Sequence, residues 1–308
     1  MRKKPFPSEL IRPDRYLLNQ DSMIRQQMLE MWAELSDLRH EKELLKRLVL
    51  RYADAEKRIR NLHEQLRDEL LAAASIQQTL LPGSLPESIF MEAAWKFQPC
   101  DEVGGDIVGL QALDDERWGC YVLDVAGHGP RAAMITISVA QYLKPSSGID
   151  LFSPAKVLDA LEMEFPFTRF GSFFTIIYGV VDLKQQSFTF CNAGHPFPLL
   201  TQHGSAPEFV DRHDPMLGLG FNDKRDEVVV DLSSGSMLLY TDGLTECVAP
   251  DGSFYGEDKL LQEFAKISSH SAEKSADEIF ATARSFASGT RFKDDFTLLV
   301  LKSLAQHV

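Results

Sequence analysis

Between Tyr16 and Leu81 the chain has no proline and no glycine, and apolar residues recur at every seventh position. Counted from Leu17, the stripe is Leu17, Ile24, Met31, Leu38, Leu45, Tyr52, Ile59, Leu66, Ala73 and Leu80. The companion position, four residues on, is mixed: Asp21, Met28, Leu35, Lys42, Val49, Glu56, His63, Leu70 and Gln77. This pattern predicts one uninterrupted helix that winds left-handed around a partner. Such a helix would run about 100 Å at ~1.5 Å per residue. It cannot bury its stripe alone, so a second copy of the chain is the simplest partner and a homodimer is expected. The polar companion residues would fix the register while weakening the pair.

Pro82, Gly83 and Pro86 end the pattern, and period-two alternation takes over. It predicts strands near Phe90–Gln98, Ile107–Leu113, Gly119–Val125, Phe173–Asp182, Ser187–Cys191, Val228–Leu232, Met237–Thr241 and Phe296–Leu301. Helical periodicity predicts helices near Arg131–Leu143, Pro154–Glu164, Glu257–Ile267 and Ala272–Phe286. Strands in hairpin-like succession with helices grouped between them belong to the α+β class, not to a doubly wound parallel sheet. The expected organisation is a tail over 1–15, a coiled-coil and linker helix over 16–81, and a globular domain over 82–308.

Composition narrows the function. The chain has 308 residues and a net charge of −13, unevenly placed: +2 up to Leu80 and −15 beyond it. An acidic body repels phosphate backbones, so nucleic acid is not an expected partner. Cys100, Cys120, Cys191 and Cys247 form no CxxC pair, which argues against a zinc ribbon, a thioredoxin motif and a disulfide framework. None of them has Arg six positions on, which argues against a cysteine phosphatase. No apolar run approaches the roughly 20 residues that span a bilayer, and the basic start has no apolar core of a signal peptide. The expected location is the cytoplasm.

Four segments place an Asp where an apolar strand runs into a turn: EVGGDIVGL (Asp106), CYVLDVAGHG (Asp124), MLLYTDGLTE (Asp242) and FKDDFTLLVL (Asp294, Asp295). Singly, each reads best as a turn residue binding its own backbone or as a solvated acid. Four such acids at strand ends of one domain point to convergence. Converging carboxylates repel unless a cation lies between them. With no His or Cys at ligand spacing, the matching cation is Mg²⁺ or Mn²⁺. The glycines beside the acids let main-chain carbonyls approach it.

The ordered motifs AxxIQQTLLP, EVGGD, VLDVAGHG, NAGHPFPLL, LLYTDGLTE and KDDFTLLVL, spread over Ala72–Lys302, resemble the SpoIIE/RsbU-like branch of the metal-dependent (PPM, type 2C) protein phosphatases. The resemblance implies an α/β/β/α sandwich with two Mn²⁺ or Mg²⁺ ions at one edge of its sheets. By the same resemblance Asp124 bridges both metals, Asp106 and the carbonyl of Val125 hold the second, and Asp242 and Asp294 hold the first. Asp295 would back these ligands or serve a third metal; the local sequence does not choose between Asp294 and Asp295. The chain departs from the pattern at Gly109, where related sequences often have a second Asp, and at Ala126, where animal relatives have His. His195 looks structural.

The implied reaction is hydrolysis of phosphoserine or phosphothreonine on a protein, with two metals activating a water for in-line attack. The implied substrate is a STAS-type anti-sigma-factor antagonist in a partner-switching pathway. Ala72–Leu81 resembles the linker helix that carries input to the catalytic core, with Ile76 and Leu80 expected against that core. Input would come from a separate upstream sensor protein bound to the coil, or from self-association. The competing reading is a scaffold with a weakened phosphatase fold, which Gly109 favours and the retained acids oppose.

Overall fold

The structure, a computed structural model, describes residues 22–83, 88–202, 205–221, 224–267 and 269–304. The expected tail over 1–15, the first residues of the predicted coil and Pro86 lie outside them. The chain divides into two units, Met1–Leu66 and Arg67–Val308.

Helix α1 spans Ser22–Gln78 without a break. In the first unit its stripe residues Ile24, Met31, Leu38, Leu45, Tyr52, Ile59 and Leu66 are all exposed. Polar positions pair along the helix, as Arg58 with Asp54 and Arg60 with Glu56. Each exposed i,i+4 pair contributes only about 0.3–0.5 kcal/mol, so these bonds do not replace burial of the stripe.

The second unit is a four-layer sandwich. Its strands are β1 (Met91–Gln98), β2 (Asp106–Ala112), β3 (Arg117–Val125), β4 (Phe174–Asp182), β5 (Ser187–Ala193), β6 (Leu199–Gln202), β7 (Glu208–Phe209), β8 (Val228–Asp231), β9 (Gly235–Tyr240) and β10 (Phe296–Ser303). They form two antiparallel sheets, ordered β1-β10-β9-β6-β7 and β2-β3-β4-β5-β8. Helices α2 (Pro130–Tyr142) and α3 (Pro154–Glu164) cover the second sheet, and α6 (Gly256–Ile267) and α7 (Ala272–Phe286) the first. Two short helices, α4 (Phe167–Phe170) and α5 (Asp242–Thr245), complete the set.

Alternation along the strands explains the layers. In β2 and β3, Val108, Leu110, Cys120 and Val122 pack between the sheets with Leu239 and Leu299, whereas Ile107, Tyr121 and Leu123 pack under α2 and α3. Every strand and helix the sequence predicts is present, with ends shifted by at most a few residues. Strands β6 and β7, and helices α4 and α5, were not predicted. Strand β6 follows two prolines and carries few residues; its pairing with β9 and β7, rather than its own pattern, makes it a strand.

Candidate metal centre

The antiparallel register of β2 and β3 sets Asp106 directly opposite Asp124. Both belong to the strand face that looks toward the other sheet, the face of Val108 and Val122. From that other sheet come Thr241 and Asp242 at the end of β9, and Asp294, Asp295 and Thr297 at the start of β10. The centre is therefore built at one end of the layer between the two facing sheets, with acids from both.

Asp106 is almost fully buried, and its Oδ2 accepts hydrogen bonds from Thr241 Oγ1 and Thr297 Oγ1, each at 2.7 Å. Burial, and then the charges of Asp124 and Asp295, still push its carboxyl well above the usual carboxylate range. Burial pushes Asp124 up to about 7, reinforced by Asp242 and Asp294, while a hydrogen bond with Asp106 works in the opposite direction. Asp242 is raised to about 6, by burial first and then by Asp294. Such shifts express repulsion among acids crowded out of water.

The structure thus brings Asp106, Asp124, Asp242, Asp294 and Asp295 into one electrostatic cluster. Asp295 differs from the rest. Its Oδ1 accepts from the backbone N–H of Cys100 at 2.8 Å and its Oδ2 from that of Gly105 at 2.6 Å. It ties the segment leading into Asp106 to β10. Asp294 is exposed, and its Oδ1 accepts from the backbone N–H of Asp295 at 2.8 Å.

Gly105 is required by close approach. A Cβ there would lie 3.0 Å from the Val125 carbonyl oxygen and 2.9 Å from that of Gly127. The Val125 carbonyl thus lies against Gly105, the residue that leads into Asp106. At Gly109 the reason differs: an added Cβ would fall 2.1 Å from Cε1 of Tyr121. Position 109 lies on the opposite face of β2 from Asp106, and the Tyr121 ring fills the space beside it.

Gln77, in the last turn of α1, makes a contact to the segment before Asp106 that the apolar pattern did not single out. It is buried; its Nε2 donates to the carbonyl of Gly104 at 2.7 Å, and its Oε1 accepts from the Gly104 N–H at 3.1 Å. Leu80 and Leu81 pack on the core as well. Ile76, expected against the core, is instead 59 % exposed. Helix α1 ends at Gln78, so Leu80 and Leu81 reach the core from the turn beyond it and are not bound to the phase that would put Ile76 and Leu80 on one face.

His195 is buried in the NAGH turn. Its N–H donates to Asn192 Oδ1 at 2.8 Å, Asn192 Nδ2 donates to its carbonyl at 3.0 Å, and Nδ1 lies 2.8 Å from Thr175 Oγ1. Burial pushes its imidazole down to about 3, so it is neutral and fixes the loop. His128 is exposed, beside Asp101.

The donor set at the sheet junction is carboxylate with a nearby carbonyl. Those are ligands for a hard divalent cation, and buried acids that resist ionisation are what such a cation would relieve. The model of the family "Stage II sporulation protein E (SpoIIE)" matches residues 114–303. The chain belongs to the SpoIIE family. Phosphoserine phosphatase RsbU of Bacillus subtilis is 28% identical over 293 residues, which cover 91% of this chain and 85% of that protein. The RsbU and RsbW domains of Rv1364c from Mycobacterium tuberculosis superpose with a TM-score of 0.61 at 25% identity, over 73% of this chain and 63% of that one. The SiaA-PP2C domain of Pseudomonas aeruginosa gives 0.68 at 19% identity, over 78% of this chain and 98% of that one, and shows the shared PP2C fold. This SpoIIE-family chain is a metal-dependent protein phosphatase. Among the described residues no helix is long and apolar enough to cross a membrane.

Proposed function

We propose that the chain hydrolyses phosphoserine or phosphothreonine on a STAS-type regulatory protein, under control of its N-terminal coil. The observation that carries this reading is the pairing of Asp106 with Asp124 on the face that meets Asp242 and Asp294. Asp106, Asp124, Asp242 and Asp294, with the carbonyl of Val125, are the groups that would hold two Mg²⁺ or Mn²⁺ ions. When bound, such ions supply a nucleophile at neutral pH and charge neutralisation at phosphorus.

The chain's own residues prepare that site. Thr241 and Thr297 hold Asp106 in one orientation from the opposite sheet. Asp295 keeps Gly105 against β10, and the narrow fit at Gly105 keeps the Val125 carbonyl against the residue that precedes Asp106. We place Asp295 among the residues that position the ligands, since each of its oxygens already accepts a backbone N–H.

Regulation through the coil would act at Gln77. A rotation of α1 would move the Gln77 amide, and with it Gly104, next to the two residues that carry Asp295's grip and Asp106 itself. The exposed stripe of α1 favours a homodimer, and an upstream sensor would bind the same helix. The catalytic region, proposed from the sequence to begin at 82, would then include the last turns of α1. Four cysteines without a disulfide suit the cytoplasm.

The test is release of phosphate from a phosphorylated STAS-domain protein. Turnover should require Mn²⁺ or Mg²⁺ and vanish in Asp124→Ala. Full turnover in EDTA after dialysis would end this reading.

A further inference from the structure

Beside the aspartate centre, three side chains of different chemistry meet. Cys100 and Asp101 lie on the turn that follows β1, and His128 lies on the loop between β3 and α2. One ligand atom from each, the Cys100 Sγ, an Asp101 carboxylate oxygen and an imidazole nitrogen of His128, falls within 4.8 Å of the others. His128 Nδ1 is 3.1 Å from Asp101 Oδ2. Cys100 is buried, while the Asp101 and His128 side chains are half exposed or more, so the group is closed on the thiol side and open to water on the other.

We propose that Cys100, Asp101 and His128 form a binding site for a borderline-soft divalent cation of the Zn²⁺ type, separate from the aspartate centre. Three ligand atoms at about 2.0–2.3 Å from a common ion stand about 3.3–3.8 Å apart in a tetrahedron, within the spread found here. Thiolate and imidazole select Zn²⁺ over Mg²⁺ and Mn²⁺, whereas the all-oxygen centre has the opposite preference. Water takes the fourth position. The cation displaces the thiol proton of Cys100 to solvent as it binds.

The location gives the site a consequence. The backbone N–H of Cys100 donates to Asp295, which also holds Gly105 beside Asp106. His128 follows Val125 by three positions. An ion held by Cys100, Asp101 and His128 links the segment before β2 to the loop after β3, and these two segments deliver Asp106 and Asp124. Occupancy by a second class of cation would therefore stiffen the frame of the hard-metal centre. Cys100 also lies within the same distance of Asp294 and Asp295, so among the described residues a soft cation has one competing location, which excludes His128.

Cobalt(II) is the probe, added to the full chain under saturating Mg²⁺. A thiolate ligand gives Co²⁺ a near-ultraviolet charge-transfer band that carboxylates do not. Among the described residues Cys100 is the cysteine whose sulfur stands within ligand distance of other metal-binding side chains, so the band reports Cys100. The wild type should show the band with one Co²⁺ per chain, and Zn²⁺ should bleach it. Cys100→Ser should lack it, and Asp242→Asn should keep it. His128→Asn should weaken Co²⁺ and Zn²⁺ binding by more than about tenfold. The proposal is overturned by a wild type without the band, by a band that survives Cys100→Ser, or by His128→Asn binding as tightly as wild type, which places the ion on Asp294 and Asp295. If Cys100→Ser does not fold, His128→Asn decides, because its side chain is exposed. The measurement reads absorption, so absence of phosphatase activity would sink the proposed function without touching this result.

Discussion

Gln77 holds Gly104 by both of its backbone groups, the amide nitrogen donating to the carbonyl and the amide oxygen accepting from the N–H. The pair is buried and joins the end of α1 to the segment that enters Asp106. Replacing Gln77 by Ala strands both groups of Gly104, at a cost of about 1–3 kcal/mol. The Gln77→Ala variant is expected to melt several degrees lower. It should also need more Mn²⁺ or Mg²⁺ for half-maximal turnover, with a smaller change at saturating metal. A metal titration of turnover checks this; an unchanged titration curve assigns Gln77 to packing alone.

Asp242→Asn is expected to abolish turnover without loss of folding. In the metal-free chain Asp242 is charged at neutral pH against burial and against Asp294. Removing that charge relieves repulsion, so the metal-free variant should melt at the wild-type temperature or a few degrees above it. A metal-free variant that melts well below wild type would make Asp242 a structural residue.

The metal-free chain should gain stability as pH falls toward 5. Asp124 and Asp242 have folded-state values raised to about 7 and about 6. Between the ordinary carboxylate range and those values the folded state binds more protons than the unfolded one, so stability falls as pH rises through that window. Saturating Mg²⁺ or Mn²⁺ should flatten the upper part of the curve. Melting curves at a series of pH values, with and without metal, test the sign; stability that rises with pH from 5 to 7 in the metal-free chain contradicts the cluster.

Inserting three or four residues within Arg47–Arg60 rotates the segment before the insertion relative to the end of α1. If α1 transmits a signal to Gln77, such variants should dimerise and yet differ from wild type in turnover. Dimers with wild-type turnover, with and without the upstream signal, would reduce the coil to a tether. Sedimentation and turnover measured on the same sample separate the two outcomes.

The sequence made the strands and the helices of the sandwich visible because their pleat and turn periods are local. The acids were visible for a related reason: Asp106, Asp124, Asp242 and Asp294 each stand at the point where an apolar run stops. Their convergence was inferred from their number and from the family resemblance; the register of β2 on β3 supplies part of it in space. The contact of Gln77 with Gly104 was not legible in the sequence. A polar residue in a helical heptad reads as a register device, and its partner Gly104 is far away in sequence. The service of Asp295 was hidden similarly, since its acceptors' partners, Cys100 and Gly105, belong to another strand's approach. Ile76 was misplaced because the seven-residue pattern carries the helix through Leu80, whereas the helix stops at Gln78 and only the residues beyond it turn onto the core.

The ring of Tyr121 over Gly109 makes the two positions a single heritable character. An acid at 109 collides with the ring, and overpacking of that kind costs about 1–3 kcal/mol. A small residue at 121 beside an unchanged glycine leaves a hollow under α2 and α3 instead. A lineage that trades the glycine for an acid must cross one of these two unfavourable intermediates, so in descendants of this chain the two residues should be inherited, or lost, together.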